Sequence, residues 1–386
     1  MSAAPKVYGW CPGALRPMMS GDGLVVRLRA PMGRLTPDQA RGVAELSRRH
    51  GNGLLDLSAR ANLQMRGIKD DSHTALLSGL RDLGLLDTDE AAEARRNVML
   101  TPFWTEGDDN AVIARRLASA LTAATDLTLP GKFGFAVDCG TAPVLRDAAA
   151  DIRIERDASG LILRPDGAEL GLSATRETAV PEALNLARWF LDTGGAPDGR
   201  GRMRQHLAKG TPLPSGYSLV ATVAATAARP GQTGAGQLVA LEFGQMLAGT
   251  LTSLADHGAL RLTPWRMLLI EGASNIAPLP GLILDAADPR LRVNACTGAP
   301  GCLQALSATR DLARDLAPHV PEDAHLHVSG CAKGCAHPGP APLTLTATAN
   351  DTFTLIRNGS AADHPIKHRL SARTLRTAPE RLTEGS

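Results

Sequence analysis

Four of the six cysteines fall in one short window as two close pairs: Cys296 and Cys302 in "NACTGAPGCLQ", Cys331 and Cys335 in "SGCAKGCAHPGP". The pattern is C-x5-C followed by C-x3-C, with glycine and proline around both pairs. A four-iron cluster needs four thiolates converging on one cuboid, and glycine and proline let the backbone curl round it. Structural zinc is the competing reading, but zinc ligands in a pair are usually separated by about two to four residues, and the first pair here is wider. Cys296, Cys302, Cys331 and Cys335 are therefore the candidate ligands of a 4Fe-4S cluster. Cys11 and Cys139 stand apart and read as small buried residues or inert thiols.

A second group is basic. Arg27 and Arg29 lie in "VVRLRAP", Arg60 in "SARANLQ", Arg66 in "QMRGI", Arg96 in "RRNVML" and Lys132 in "LPGKFGF". A guanidinium inside an apolar, strand-like stretch wants a carboxylate or phosphate partner, and a ligand bearing many carboxylates would occupy several at once. Singly, each reads as an ordinary solvated or salt-bridged side chain. Their claim to function rests on their gathering in the first half while the second half carries the cysteines. His325, His327 and His337 lie near the cysteines, and imidazole suits iron. With no carboxylate partner in the pattern, they read as surface or hydrogen-bonded histidines. Lys333, between the last two cysteines, is the one catalytic candidate. It could place positive charge beside a reduced cluster or a developing oxyanion, and it reads equally as a solvated loop lysine.

The elements that must position these groups repeat themselves. "GLVVRLRAPMGRLTPDQARGVAELSRRHGNGLLDLSARANLQMRGI", from Gly23, and "GQLVALEFGQMLAGTLTSLADHGALRLTPWRMLLIEGA", from Gly236, both run strand, turn, helix, strands. Each helix ends in His-Gly, at His50-Gly51 and His257-Gly258, where glycine is expected to supply a left-handed cap. After the first repeat, "DDSHTALLSGLRDLGLL" and "GDDNAVIARRLASALTAA" have helical spacing, and "FGFAVDCG" and "GLILRPDGAEL" read as strands. After the second come the cysteines, an expected helix in "CLQALSATRDLARDLA", and the strands "LTLTAT" and "TFTLIRNG". "DTGGAPDGRGRMRQ" reads as a linker between the halves. The fold class is α+β, with two pseudo-equivalent halves.

A chain of 386 residues is long enough for two or three domains. A formal net charge of +2 gives no global polyanion-binding character, and 3% aromatics leave few base-stacking platforms, so nucleic acid is not an expected partner. No apolar run approaches bilayer-spanning length, and "MSAAPKVYGWCPGALRP" lacks an apolar signal core, so neither is a membrane. Four gathered cysteines suit a reducing compartment, and a cytoplasmic location is expected.

The four-cysteine motif, the duplicated unit, "LSARANLQMRG" and "RRNV" together resemble the sulfite and nitrite reductase superfamily, whose members bind siroheme beside a four-iron cluster. The resemblance covers nearly the whole chain. It implies duplicated halves, each a ferredoxin-like unit followed by a larger α+β unit: residues 1–70, 71–200, 201–275 and 276–386. It also implies that Arg27 or Arg29, Arg60, Arg96 and Lys132 grip tetrapyrrole carboxylates. Gly134, Arg66 and Ala61 stand where the siroheme enzymes have a lysine, a histidine and a glutamine. The opening "CPGALRPMMSGDGLVVRLR" with "HGNGLLDLSARANLQMRGI" resembles instead the precorrin-3B synthase branch, in aerobic cobalamin synthesis. There the pocket would hold precorrin-3A as substrate, with Arg27, Arg29, Arg60, Arg96 and Lys132 binding its carboxylates. The implied reaction is hydroxylation at C-20 with γ-lactone formation, using O2 and an electron donor, NADH directly or through a reductase. The cofactors the resemblance implies are the 4Fe-4S cluster and a non-haem iron whose ligands are not legible. A siroheme-dependent sulfite or nitrite reductase is the alternative enzyme, and an iron–sulfur electron carrier or sensor the non-enzymatic one.

Overall fold

The structure is a computed structural model that describes residues 12–221 and 228–384; Cys11 lies outside the described residues. The strand β1 (Met18–Ser20) leads to β2 (Gly23–Leu28) and β3 (Arg34–Leu35). Helix α1 (Pro37–His50) starts where Thr36 and Gln39 exchange side-chain-to-backbone hydrogen bonds of 3.1 and 3.0 Å, with Pro37 in its first turn. Its buried residues Ala40, Val43, Ala44 and Ser47 recur at helical spacing and form one inward face. β4 (Leu54–Leu57) and β5 (Leu63–Ile68) complete the unit, and α2 (His73–Asp82) and α3 (Glu90–Arg95) follow.

The first larger unit holds β6 (Val98–Leu100), α4 (Asp109–Ala123), β7 (Phe135–Asp138), β8 (Ile152–Asp157), β9 (Gly160–Pro165), β10 (Leu170–Ala174) and α5 (Ala179–Asp192). The stretch read as a linker is docked rather than free. Within it α6 (Met203–Leu207) begins, anchored where Arg202 and the Met203 N–H both reach Asp151 at 2.9 Å, and β11 (Leu219–Val220) then pairs with β10. The chain thus stays with the first larger unit beyond residue 200.

The second half follows the same plan: β12 (Gly231–Thr233), β13 (Gly236–Leu241), β14 (Gln245–Leu247), α7 (Ala248–Ala255), β15 (Leu260–Leu262) and β16 (Met267–Glu271), with an added β17 (Leu282–Ile283). Its larger unit holds β18 (Val293–Ala295), α8 (Arg310–Leu316), β19 (Leu326–Ser329), β20 (Ala341–Ala349), β21 (Thr352–Gly359), β22 (Lys367–Ser371) and α9 (Ala372–Thr377). The helix expected from Cys302 onward begins only at Arg310. The residues before it spend their backbone groups on cross-loop bonds, Leu306 N–H to Gly330 and Ala299 N–H to Ser307, instead of on helical turns.

Strand order makes the duplication explicit. The ferredoxin-like sheets run β1-β2-β5-β4-β14 and β12-β13-β16-β15-β3, so each half lends one short strand to the other's edge. The larger sheets run β11-β10-β9-β8-β7-β6 and β18-β19-β20-β21-β22, each with three parallel strands. Turns match too: Met32 and Phe243, and Ala61 and Arg266, all take positive φ. Gly51 is not the expected left-handed cap, having φ −131. A Cβ there would lie 2.5 Å from the Arg66 carbonyl, and one at Gly258 2.3 Å from that of Glu271, so close approach explains both glycines. The inner faces of both ferredoxin-like sheets, through Val26, Leu28, Leu63 and Met65 and through Val239, Leu241, Leu268 and Ile270, share one core with α1 and α7. Strand exchange and this common core weld the halves together. Among the described residues no helix is long and apolar enough to cross a membrane.

Candidate metal centre and cationic face

β18 and β19 are parallel neighbours, with Ala295 opposite Val328, so the loops leaving their ends emerge side by side. One carries Cys296 and Cys302, the other Cys331 and Cys335. All four line a single cavity of about 400 Å³, together with Ser20, Gln64, Arg66 and Lys333. The loops are cross-braced: Cys296 N–H donates to Val328, Leu306 N–H to Gly330 at 2.8 Å, and Gly330 N–H to the Cys296 Sγ at 3.1 Å. A Cβ at Gly330 would sit 2.8 Å from that of Ala305, so the braces require glycine there.

Burial pushes the Cys331 thiol up, and the sulfurs of Cys296 and Cys302 add to that while Lys333 opposes it. Cys335 behaves alike. Four thiolates on one cavity repel one another, which calls for a counter-charge. Among the described residues no group of three or more His, Cys, Asp or Glu side chains is arranged to hold a metal ion. A cuboid cluster asks for something else: one thiolate per iron, spread round a chamber, with N–H groups directed at sulfur. Four thiols on one cavity and the Gly330 donor fit that demand. Among the described residues the same finding gives no ready-made mononuclear iron site. His325 bonds Asn294 at 2.8 Å, Asn294 also reaches His337 at 3.4 Å, and fully buried His327 has neither ring nitrogen hydrogen-bonded. Burial, then the neighbouring His337, lowers His325 to about 4 and His327 to about 3, so both are neutral imidazoles at neutral pH. Cys139, the lone thiol after β7, is buried and its thiol is pushed up by that burial, in keeping with an inert residue.

Opposite the cysteines stands the outer face of the first ferredoxin-like sheet. Strand alternation puts Val25 and Arg27 of β2, and Gln64 and Arg66 of β5, on the face away from the shared core. With the Gln64 amide turned so that its oxygen faces the guanidinium, the orientation that satisfies both groups, buried Arg27 donates to it at 3.2 and 2.8 Å, a neutral partner. Arg29 donates to the Glu93 carbonyl at 2.8 Å and pairs with its carboxylate at 3.5 Å, and burial lowers its pKa to about 10. Arg96 grips Asp87 through a fork of 2.7 and 2.9 Å and donates to the Arg29 carbonyl. Arg27, Arg29 and Arg96 are thus brought together, the last two already holding carboxylates. Arg60 is half-buried on the β4–β5 turn, and Lys132 is exposed on the segment leading into β7.

Arg66 has a role that its place among the basic residues did not disclose. It reaches Asp22 at 2.8 and 3.0 Å, Asp56 at 3.4 Å, Ser20 at 3.1 Å and the Gly301 carbonyl at 2.7 Å. It therefore clamps the first sheet to the residue before Cys302. Arg310, at the start of α8, adds a 3.3 Å contact to the same Asp56. Arginine in a strand-like stretch was the visible signal for Arg66; its partners lie too far along the chain to be read.

The family model described as the nitrite/sulfite reductase ferredoxin-like half domain matches residues 16–83. The solved structure of Mycobacterium tuberculosis NirA protein aligns with a TM-score of 0.64 over 94% of this chain and 82% of that one, at 18% identity, and so shares the fold. The NADPH sulfite reductase hemoprotein beta-component of Shouchella clausii is 34% identical over 105 residues, 26% of this chain and 18% of that protein. Residues 16–83 thus match a nitrite/sulfite reductase ferredoxin-like half domain, and the chain as a whole shares the duplicated α+β fold its motifs implied. The likeness that runs through almost the whole chain is more particular. A precorrin-3B synthase of Sinorhizobium sp is 28% identical over 393 residues, covering 92% of this chain and 84% of that protein.

Proposed function

We propose that the chain is a precorrin-3B synthase, a monooxygenase that takes precorrin-3A, O2 and reducing equivalents, hydroxylates the macrocycle at C-20 and closes the γ-lactone. One observation carries the reading. The four cysteines of the second half share a cavity with Gln64 and Arg66 of the first-half sheet, whose outer face also bears Arg27. On this reading a redox centre and a carboxylate-binding face meet across one junction, as oxidation of an octacarboxylate tetrapyrrole requires.

In this reading Cys296, Cys302, Cys331 and Cys335 hold a 4Fe-4S cluster, which when bound supplies one-electron transfer. Arg27 anchors a substrate carboxylate: it is buried, its hydrogen-bond partner is a neutral amide, and exchanging that amide for a carboxylate gains a charge-assisted bidentate bond. Arg29 and Arg96 bind further carboxylates only in competition with Glu93 and Asp87, so they serve first to set the shape and charge of the face. Arg60 and Lys132 stay in the proposed set on the resemblance of their motifs alone. Lys333 lines the cavity between the two cysteines of the second pair, where an ammonium supplies positive charge beside the sulfurs.

The test is turnover by anaerobically prepared protein given precorrin-3A, a reductant and isotopically labelled dioxygen. The expected product is one labelled oxygen atom heavier than the substrate. Absence of label in product, with siroheme absorption in the purified protein and reduction of sulfite or nitrite, would replace this reading by the reductase.

A further inference from the structure

The turn between β15 and β16 carries Arg266 where the first half has Ala61, both at positive φ. Its guanidinium points toward the cysteine loops. One arm donates to the Asn294 side-chain oxygen at 2.5 Å, and another to the Ala336 carbonyl at 2.7 Å. Asn294 lies on β18, the strand that delivers Cys296, and Ala336 directly follows Cys335. Arg266 therefore ties together the two loops that carry the cysteine pairs.

Its charge is unlike its neighbours'. Arg66 has Asp22 and Asp56, Arg310 has Asp56, Arg96 has Asp87, and Arg261 has Glu271. Among the described residues, the hydrogen bonds of Arg266 go only to neutral oxygens. Burial, and then Arg310, lower its pKa, while Asp56 and the Cys296 thiolate work to keep it charged. A half-buried cation with no carboxylate in hydrogen-bond contact is costly, and Cys296, whose charge it feels, shares one cavity with three more cysteines that carry negative charge once they bind iron.

We propose that Arg266 is the internal counter-ion and positioning residue of the cysteine centre, holding the Cys335 loop through Ala336 and balancing the charge of a four-thiolate cluster. The inference rests on the cluster reading above. Reduction adds one electron to the centre and makes it one charge more negative, and a fixed cation nearby favours that form and raises the reduction potential.

The experiment uses the whole chain, purified anaerobically with iron and sulfide quantified, and titrated with dithionite while the reduced-cluster EPR signal is followed. Wild type is compared with Arg266→Gln, Arg266→Lys and Arg188→Gln, the last removing a surface arginine paired with exposed Asp126. Arg266→Gln is expected to shift the reduction equilibrium at least about ten-fold toward the oxidised cluster, about 59 mV downward for a one-electron couple. Arg266→Lys should recover most of that shift, and Arg188→Gln should show none. Equal potentials in wild type and Arg266→Gln, at equal iron and sulfide, overturn the inference and leave the cluster standing. If Arg266→Gln cannot retain a cluster, retention by Arg266→Lys supports the counter-ion, and loss in both variants overturns it in favour of guanidinium geometry alone. Wild-type protein that takes up no iron and sulfide overturns the cluster reading and this inference with it.

Discussion

The two ferredoxin-like sheets have the same strand order, yet their outer faces are chemically opposite. In the first, Arg27 lies opposite Gln64, and Arg66 and Asp56 share that face. In the second, Leu238 lies opposite Leu269, and with Ala240, Met267 and Ile283 they form a small apolar core. The added β17 pairs with β13 and helps seal that face; among the described residues the first sheet has no such strand, and its face meets the cysteine cavity. Even the polar clamps are related by charge reversal. Asp56 and Arg66 tie the first sheet to Arg310 and Gly301; at the corresponding positions Arg261 and Glu271 tie the second to the Pro102 carbonyl and to Arg34. Duplication supplied two junctions, and the residue types on one sheet face decided which is a packed core and which can receive an anionic ligand.

The largest effect that would break this comparison lies in the loops. Cys302→Ser or Cys331→Ser should abolish bound iron and sulfide and destabilise the second half, since a cluster ties distant loops together. Cys139→Ser, in the counterpart loop of the first half, should leave both unchanged; iron analysis, sulfide analysis and a melting curve decide it. The next effect is on the sealed face. Leu269→Ala should cost about 2–5 kcal/mol by denaturant titration, because nothing can flow in to fill the space. Gln64→Leu, which copies the apolar face onto the open one, strips buried Arg27 of its acceptor and should cost about 1–3 kcal/mol.

A ligand sharpens the comparison further. Arg27→Ala should weaken tetrapyrrole binding about ten-fold or more, corresponding to about 1.5–3 kcal/mol for a desolvated charged contact. Arg96→Ala should act more on stability, since its fork already holds Asp87. Equal tetrapyrrole affinity in wild type and Arg27→Ala, at matched cluster content, would return Arg27 to a purely structural role.

The smallest effect is a pH dependence of the second clamp. The Arg34 hydrogen bonds, then Arg261, hold the Glu271 carboxyl below its ordinary value despite burial. A depressed carboxylate contributes stability that is present above the unfolded-state value of about 4.3 and is lost as pH falls through the folded one. Wild type should therefore lose this contribution on acidification below about pH 4.3, and Glu271→Gln should flatten that part of the stability curve. Parallel curves would show that the clamp adds nothing.

Local pattern was enough for much of this protein. Cysteine spacing, apolar alternation and helical periodicity are short-range properties, so α2, α4, β7, β9, β20, β21 and the two strand–helix–strand repeats were legible without coordinates. So was the candidate centre, because ligand spacing and glycine content belong to two short loops. Partner choice was not legible. Whether an arginine is free for a substrate depends on which carboxylate reaches it, and Arg29 meets Glu93 while Arg66 meets Asp22 and Gly301 from across the fold. The docked linker, the late start of α8 and the exchange of β3 and β14 have the same cause: their backbone groups are satisfied by residues remote in sequence. The sequence by itself determined the repeat, the thiol set and the basic residues. Only the tertiary structure decided which sheet face stays open, which cations are already spent on internal anions and which one, Arg266, braces the cysteine loops with hydrogen bonds to neutral acceptors only, because electrostatic balance is a sum over neighbours in space.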